Sequence, residues 1–314
     1  MMRVLATLLL APTLAFAQSF PAKPVRMIVP FPAGGTTDLI ARIVQPKFQE
    51  ILGQTVVIEN KGGAGGSIGA AEAAKAAPDG YTMLLVFDTH AVNHHLYKQA
   101  PDPFKTLEHL MLMVTSPSTL VAAPAFTVPT LKGLVGRGKA EPGRLTYGST
   151  GAGSSNHLGG LLLEQAADIK MLHVPYKGGG PLVAALLGSQ VDMAFISTPL
   201  ILPHITAGKV KAIAVGGKQR MEVLPEVPSL AETYPGFEMV SWFGLLTPVG
   251  VPRAVTTKIH QSMQRTLETP EVRKSLSEKG FEIRASSPEQ FLQFVRTESD
   301  KLGKLIRDNG VLSD

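Results

Sequence analysis

Hydrophobic positions along this chain switch between two spacings. The unbroken apolar run VRMIV, Val25 to Val29, reads as a buried strand. It is followed by a segment with Leu39, Ile40, Ile43, Val44, Phe48, Ile51 and Leu52 at helical spacing, which predicts a helix from about Thr37 that Gly53 ends as a C-cap. Pro46 falls inside it and should kink it, because proline cannot donate to the carbonyl four residues back. Strand TVVIEN, loop KGGAGGS, the Ala-rich helix IGAAEAAKAA, turn PDG and strand YTMLLV come next. This βαβαβ order predicts a parallel sheet with right-handed crossovers.

The same order returns from Arg144. Strand RLTYGS, turn TGAGSSNH, helix LGGLLLEQAA and strand MLHVP are followed by YKGGGP with helix LVAALLG, strand VDMAFI, helix PLILPHITAG and strand VKAIAV. Between the two units lies TSPSTLVAAPAF, apolar but without helical period, and after the second comes EMVSWFGLLTP; both read as extended crossings. The remainder reads as two or three surface helices. Two crossings mean that the chain leaves one α/β lobe, builds another and returns, leaving a cleft that can close by a hinge. Ligands of parallel sheets sit beyond the carboxyl ends of strands, and both lobes place a Gly/Ser/Thr-rich turn there: PFPAGGTTD after the first strand and STGAGSS at 149–155.

The first residues change the picture of where the protein works. MMRVLATLLLAPTLAFAQSF has one early cation, Arg3, an apolar stretch too short to span a bilayer, and Ala15-Phe16-Ala17, which predicts a secretory signal peptide cut after Ala17. The chain has no cysteine, which excludes a disulfide framework and a lipid anchor on Cys. Net charge is +5, or +4 without Arg3, spread with no Lys/Arg run, and only 6% of residues are aromatic. Nucleic-acid binding would need a basic patch with stacking aromatics, so a small acidic ligand fits the balance better.

Both turns have the chemistry of an anion site. Free N–H groups and the positive end of the helix dipole lie at a helix start, glycines let a ligand approach the backbone, and Thr36 or Thr37 is expected to cap. Asp38 either complements the dipole or receives a donor from the ligand. Lys177 is either solvated or a helper to the anion, and His157 either contacts the ligand or makes a capping or interdomain bond. Hydrogen bonds to a charged group are worth roughly 1.5–3 kcal/mol each, so four give about 6–12 kcal/mol, where micromolar affinity needs about 8. No arginine clamp is required.

Enzyme readings are weak. Gly65-Gly66-Ser67-Ile68-Gly69 matches the letters of a nucleophile elbow, but Ser67 falls several residues beyond the strand end instead of on the sharp turn the motif needs; a cap on the next helix is its expected role. GGAGGSIG fails the dinucleotide spacing at Ile68, and no phosphate-loop lysine motif exists. His90 and His94 have i, i+4 spacing with His95 adjacent, but the acid of H-E-x-x-H is missing, so a polar loop is expected in place of a metal site, with no cofactor. Trp242, on the return crossing, is expected to pack.

The segments KPVRMIVPFPAGGTTDLIARI, GQTVVIENKGGAGGSIGA, PDGYTMLL, LTYGSTGAGSSNHL, VPYKGGGPLVAALLGSQVDMAF and SWFGLLTPVGVP together resemble the tripartite tricarboxylate transporter receptor (Bug) family of periplasmic solute-binding proteins. The resemblance implies an α/β type II periplasmic-binding-protein fold, two α/β lobes joined by two crossing strands. Residues 18–119 with 239–314 would form one domain and 120–238 the other. It implies a periplasmic, monomeric binding protein without catalysis that captures a di- or tricarboxylate, amino acid or aromatic acid and hands it to membrane components of a transporter. The family's carboxylate-holding positions fall here on Phe31, Ala33, Gly34, Gly35, Thr37 and Asp38, then Ser149, Thr150, Gly151, Ser154, Ser155 and His157, with Tyr176, Lys177 and Asp192 behind them. FDTHAVNHHLYKQAPDPFKTLEHL follows the family pattern only loosely, which leaves the rim near Thr89 and His90 open. The alternatives are an exported serine hydrolase using Ser67 and a binding protein that serves a sensor without transport.

Overall fold

The computed structural model describes residues 20–98 and 100–311; the expected signal peptide lies outside them. Strand β1 (Val25–Val29) feeds helix α1 (Thr36–Leu52), and β2 (Val56–Asn60), α2 (Ser67–Ala74) and β3 (Thr82–Phe87) complete the first unit. Both β2 and β3 pair with β1 in parallel. Ile40, Val44, Phe48 and Leu52 bury the inner stripe of α1, each contributing about 1.5–3 kcal/mol by leaving water. Gly53 accepts the C-cap in the left-handed region. The helix continues through Pro46 rather than breaking there; Pro46 and Arg42 both lie on the exposed face, where water can serve the carbonyl that proline leaves unbonded.

A short helix, α3 (Asn93–Leu96), precedes β4 (Leu107–Ala122), a strand of 16 residues whose first half the hydrophobic pattern did not predict. The second unit follows: α4 (Leu131–Ala140), β5 (Leu145–Ser149), α5 (Ser155–Ala167), β6 (Met171–Pro175), α6 (Gly179–Leu187), β7 (Met193–Ser197), α7 (Thr198–Thr206) and β8 (Lys211–Val215). The return strand is β9 (Val240–Pro248), and the chain ends with α8 (Arg253–Glu268), α9 (Pro270–Ser277), β10 (Glu282–Ile283) and α10 (Pro288–Asp308). No described helix is long and apolar enough to cross a membrane.

The parallel triplets are only part of the sheet. Strand β9 lies antiparallel between β3 and β4, while the far end of β4, Ser118 to Ala122, pairs antiparallel with β7. Its last residues also pair with β8. One strand thus serves two sheets, and an apolar core runs through the junction from Ile28 and Leu84 to Leu145 and Phe195. Trp242 is 1% exposed and sits edge-on to Phe291 and Phe294, so it packs, as its place on the crossing suggested.

Candidate functional site

Three helices begin around one small cavity between the two α/β halves. Gly35, Gly178 and Ser197 are the N-caps of α1, α6 and α7, none makes a side-chain cap bond, and all three line the cavity. Among the described residues, the first-turn amides at Thr36, Thr37 and Asp38 donate to no protein group, and Leu39 is the first to bond back, to Gly35. The rest of the wall is Phe31, Thr36, Thr37, Phe87, Thr150, Gly179, Ile196 and Leu200. Positive dipole ends and free donors therefore converge where no charged side chain stands. These are the features of an anion site.

The halves touch here. A Cβ at Gly178 would lie 3.5 Å from the Pro32 ring and 3.8 Å from the Phe31 ring, and Gly178 also takes a φ of +102°, a conformation that favours glycine. The cavity measures about 20 Å³, close to the roughly 10–15 Å³ that one water needs. A solute can fit only if the halves part.

The first turn divides between two jobs. Phe31, Gly35 and Thr37 face the cavity, as does Thr36, while Ala33, Gly34 and Asp38 line a separate outer groove of about 930 Å³ between α1 and α7. The expected threonine cap is corrected: the helix starts at Thr36 with Gly35 as N-cap, so both hydroxyls lie one and two positions too late to cap it. Asp38 holds the turn together. Its carboxylate accepts from the Gly34 amide at 2.9 Å, Arg42 Nε at 2.8 Å and Asn60 Nδ2 at 3.1 Å. Burial pushes its pKa up, but these bonds outweigh that and leave it below the usual carboxylate value.

In the second turn only Thr150 reaches the cavity, and its hydroxyl donates to Asn156 Oδ1 at 2.8 Å. Ser149 Oγ pairs with His173 Nε2 at 2.7 Å and accepts from the Gly151 amide. Ser154 caps α5 by accepting from the His157 amide, and its hydroxyl donates to Gly151 O at 2.7 Å. His157 Nδ1 accepts from the Gly153 amide, and its ring stacks on His173 with centroids 3.8 Å apart. Burial lowers these two imidazoles to about 3 and 4 respectively, so both are neutral near pH 7. The Ser155 amide donates to Asp88 Oδ1 at 3.3 Å. Asp88 follows β3, so a carboxyl from the first half sits at the start of a second-half helix. It is 1% exposed, its second oxygen has no hydrogen-bond partner, and burial pushes its pKa up to about 8.

A floor of buried hydroxyls lies under the cavity. Ser241 Oγ is within 3.2 Å of the hydroxyls of Ser118, Ser155 and Ser197, and Asn156 Nδ2 donates to Ser118. Thr150 is joined to this network through Asn156.

Three further expectations are corrected. Asp192 sits at the amino end of β7, away from the cavity at Ser197, and accepts from the Thr146 amide and hydroxyl at 2.8 and 2.9 Å. Ser67 does not cap α2, whose N-cap is Gly66, and its buried hydroxyl has no hydrogen-bond partner and so no base bonded to it. His90 is buried, not part of a polar loop. It lies beside His109 and is lowered to about 3 by burial. Lys177 is exposed, and Tyr176 is half-buried outside the cavity wall. The residues missed were Thr36, Phe87, Gly178, Gly179, Ile196, Ser197 and Leu200. Two signals were available: the glycines of YKGGGP, and Ser-Thr-Pro directly after an apolar strand, which marks a helix start.

Residues 40–311 match the model of the tripartite tricarboxylate transporter family receptor. The fold is similar to that of the periplasmic binding protein BugD, at 36% identity and a TM-score of 0.88 over 94% of this chain and 100% of that one. Rpa4515 from R. palustris, solved with adipate, is 28% identical with a TM-score of 0.90 over 94% and 100%. MatC from Rhodopseudomonas palustris, solved with malate, is 31% identical with a TM-score of 0.86 over 91% and 100%.

Proposed function

The chain belongs to the tripartite tricarboxylate transporter receptor family, and on that premise we propose that it is a periplasmic receptor that closes on a small carboxylate and delivers it to the membrane components of a transporter. The observation that carries this reading is the set of three uncapped helix starts around one cavity. Such a site favours an anion over any neutral solute. Solved relatives hold adipate and malate, which supports a carboxylate as that anion.

The proposed working parts are residues 18–119 with 239–314 as one lobe and 120–238 as the other, hinged where β4 and β9 cross. The carboxylate is received by the amides of Thr36 and Thr37, the Gly178–Gly179 turn and the Thr150 hydroxyl, which turns from Asn156 Oδ1 to donate to it, with no catalytic step and one copy of the chain per solute. Ser67, buried without a hydrogen-bonded base, gives no support to hydrolysis.

A thermal-shift screen against dicarboxylates, tricarboxylates, amino acids and aromatic acids tests the proposal. At least one class should raise the melting temperature in a concentration-dependent way. A flat response from folded, ligand-free protein would sink it.

A further inference from the structure

We infer that this cleft selects a monocarboxylate with an apolar body, and that Asp88 is the specificity-determining residue that closes the second helix start to a second carboxylate. The inference rests on the carboxylate reading above and narrows it.

One side of the cavity is built for a single anionic head. The free amides of α1 and the N-caps of α6 and α7 meet there. Apart from Thr150, the remaining wall is apolar: Phe31, Phe87, Ile196 and Leu200. Phe87 stands edge-on to Phe31 at 5.8 Å and packs on Phe243 at 5.2 Å, which makes a continuous aromatic surface. No Lys, Arg or His side chain lines this cavity. A carboxylate at the far end of a solute would lose water against these four side chains without gaining a hydrogen-bond donor from them, which is unfavourable. An aromatic ring or a short aliphatic chain loses nothing of the kind.

A second carboxylate would otherwise have the start of α5, the helix that follows the Gly/Ser-rich second turn. Two of its first-turn amides are already taken. Ser154 accepts the His157 amide, and Asp88 Oδ1 accepts the Ser155 amide from across the junction of the two halves. Asp88 is buried, so it occupies the place through its own carboxyl and does not give way to solvent. The α5 start serves the protein's own acid. The α1 start serves the solute.

Calorimetric titration with three matched pairs tests this: benzoate against terephthalate, hexanoate against adipate, and butanoate against succinate. The wild-type protein should bind the monoacid of at least one pair, and more tightly than its diacid by about tenfold or more. Asp88→Ser, which removes the carboxyl from Ser155, should raise diacid affinity several-fold, and Asp88→Asn, which keeps an acceptor there, should restore the wild-type order. A wild-type protein that prefers the diacid of each pair it binds overturns the inference. Unchanged preference in a folded Asp88→Ser protein overturns the role of Asp88 while leaving the solute class standing, and equal relaxation in both variants does the same. If Asp88→Ser fails to fold, the wild-type order decides the class and Asp88→Ala, which also removes the acceptor, decides the residue by losing or keeping that order. Silence toward all six acids, with binding to some other carboxylate in the wider screen, overturns the inference alone; silence there as well overturns the carboxylate reading itself.

Discussion

The turns PFPAGGTTD and STGAGSS have nearly the same composition and the same place, after the first strand of a parallel unit and before a helix. Their fates differ by one position of register. In the second, a serine falls on the N-cap itself and closes the helix start, helped by Asp88, His157 and His173. In the first, glycine holds the N-cap and the threonines come just after it, so the amides stay open. The availability of a helix start is thus set by which residue sits on the cap and by what the rest of the protein brings to it. Counting glycines and hydroxyls does not reveal it.

The sharpest way to break this contrast is to close the open turn. Gly35 has a φ of −83°, and a Cβ there would meet only Pro32 O at 3.5 Å, an ordinary contact. Gly35→Asp should therefore fold and, by capping α1 with a negative charge, lower affinity for an identified acid by about 100-fold or more in calorimetry, the loss of two charged hydrogen bonds. Retained affinity would remove the first turn from the site.

The next effect is on stability and concerns Asp88. Its carboxyl is raised from 3.8 to about 8, so the native state keeps a proton that the unfolded chain releases. That contribution is full below pH 4 and is lost as pH rises toward 8, at about 1.4 kcal/mol per unit. The buried histidines run the other way: His90, His109, His157 and His173 are lowered from 6.5 to between about 3 and 4, so their contribution is present above 6.5 and lost on acidification. Between pH 6.5 and 8 Asp88 acts without them. Denaturant titrations should show the wild-type protein losing about 2 kcal/mol over that interval, with Asp88→Asn nearly flat. Parallel curves would mean that Asp88 is already ionised.

A smaller change tests the single cavity contact of the second turn. Thr150→Val keeps the shape but removes the hydroxyl, and acid affinity should fall by about tenfold, the worth of one hydrogen bond. The mildest test is Ser154→Ala. It should cost about 1 kcal/mol of stability as a lost N-cap and change affinity less than about threefold, since one neutral cap lies outside the solute's reach. A larger affinity loss from Ser154→Ala than from Thr150→Val would reverse the proposed division between the turns.

Much of the fold was legible because it is periodic. The stripe on α1 and its glycine stop appeared where the spacing put them. The first half of β4 escaped because, after Glu108 and His109, LMLMV is continuously apolar, and such a short run has no period to separate strand from helix. The residues that quoted motifs carry, Phe31, Gly35 and Thr37, reach the cavity wall. Asp192 was misplaced because the resemblance put it in the site although it stands at the amino end of its strand, opposite the carboxyl ends where ligands of parallel sheets sit. Asp88 was invisible for a further reason: its partner Ser155 is 67 positions away, and no local pattern announces a bond that only the packed halves create.

The shared strand β4 limits how this protein can be rebuilt. Its residues through Pro117 pair with β9, and those from Ser118 on pair with β7 and, from Thr119, with β8. A chimera that exchanges residues 120–238 with a relative would cut β4 between Thr119 and Leu120, inside the stretch that pairs with β7 and β8, and would put the satisfaction of those buried backbone groups at the seam. Successful exchanges would have to carry β4 and β9 together, so recombination in such proteins should favour crossovers in the surface helices over cuts at the hinge.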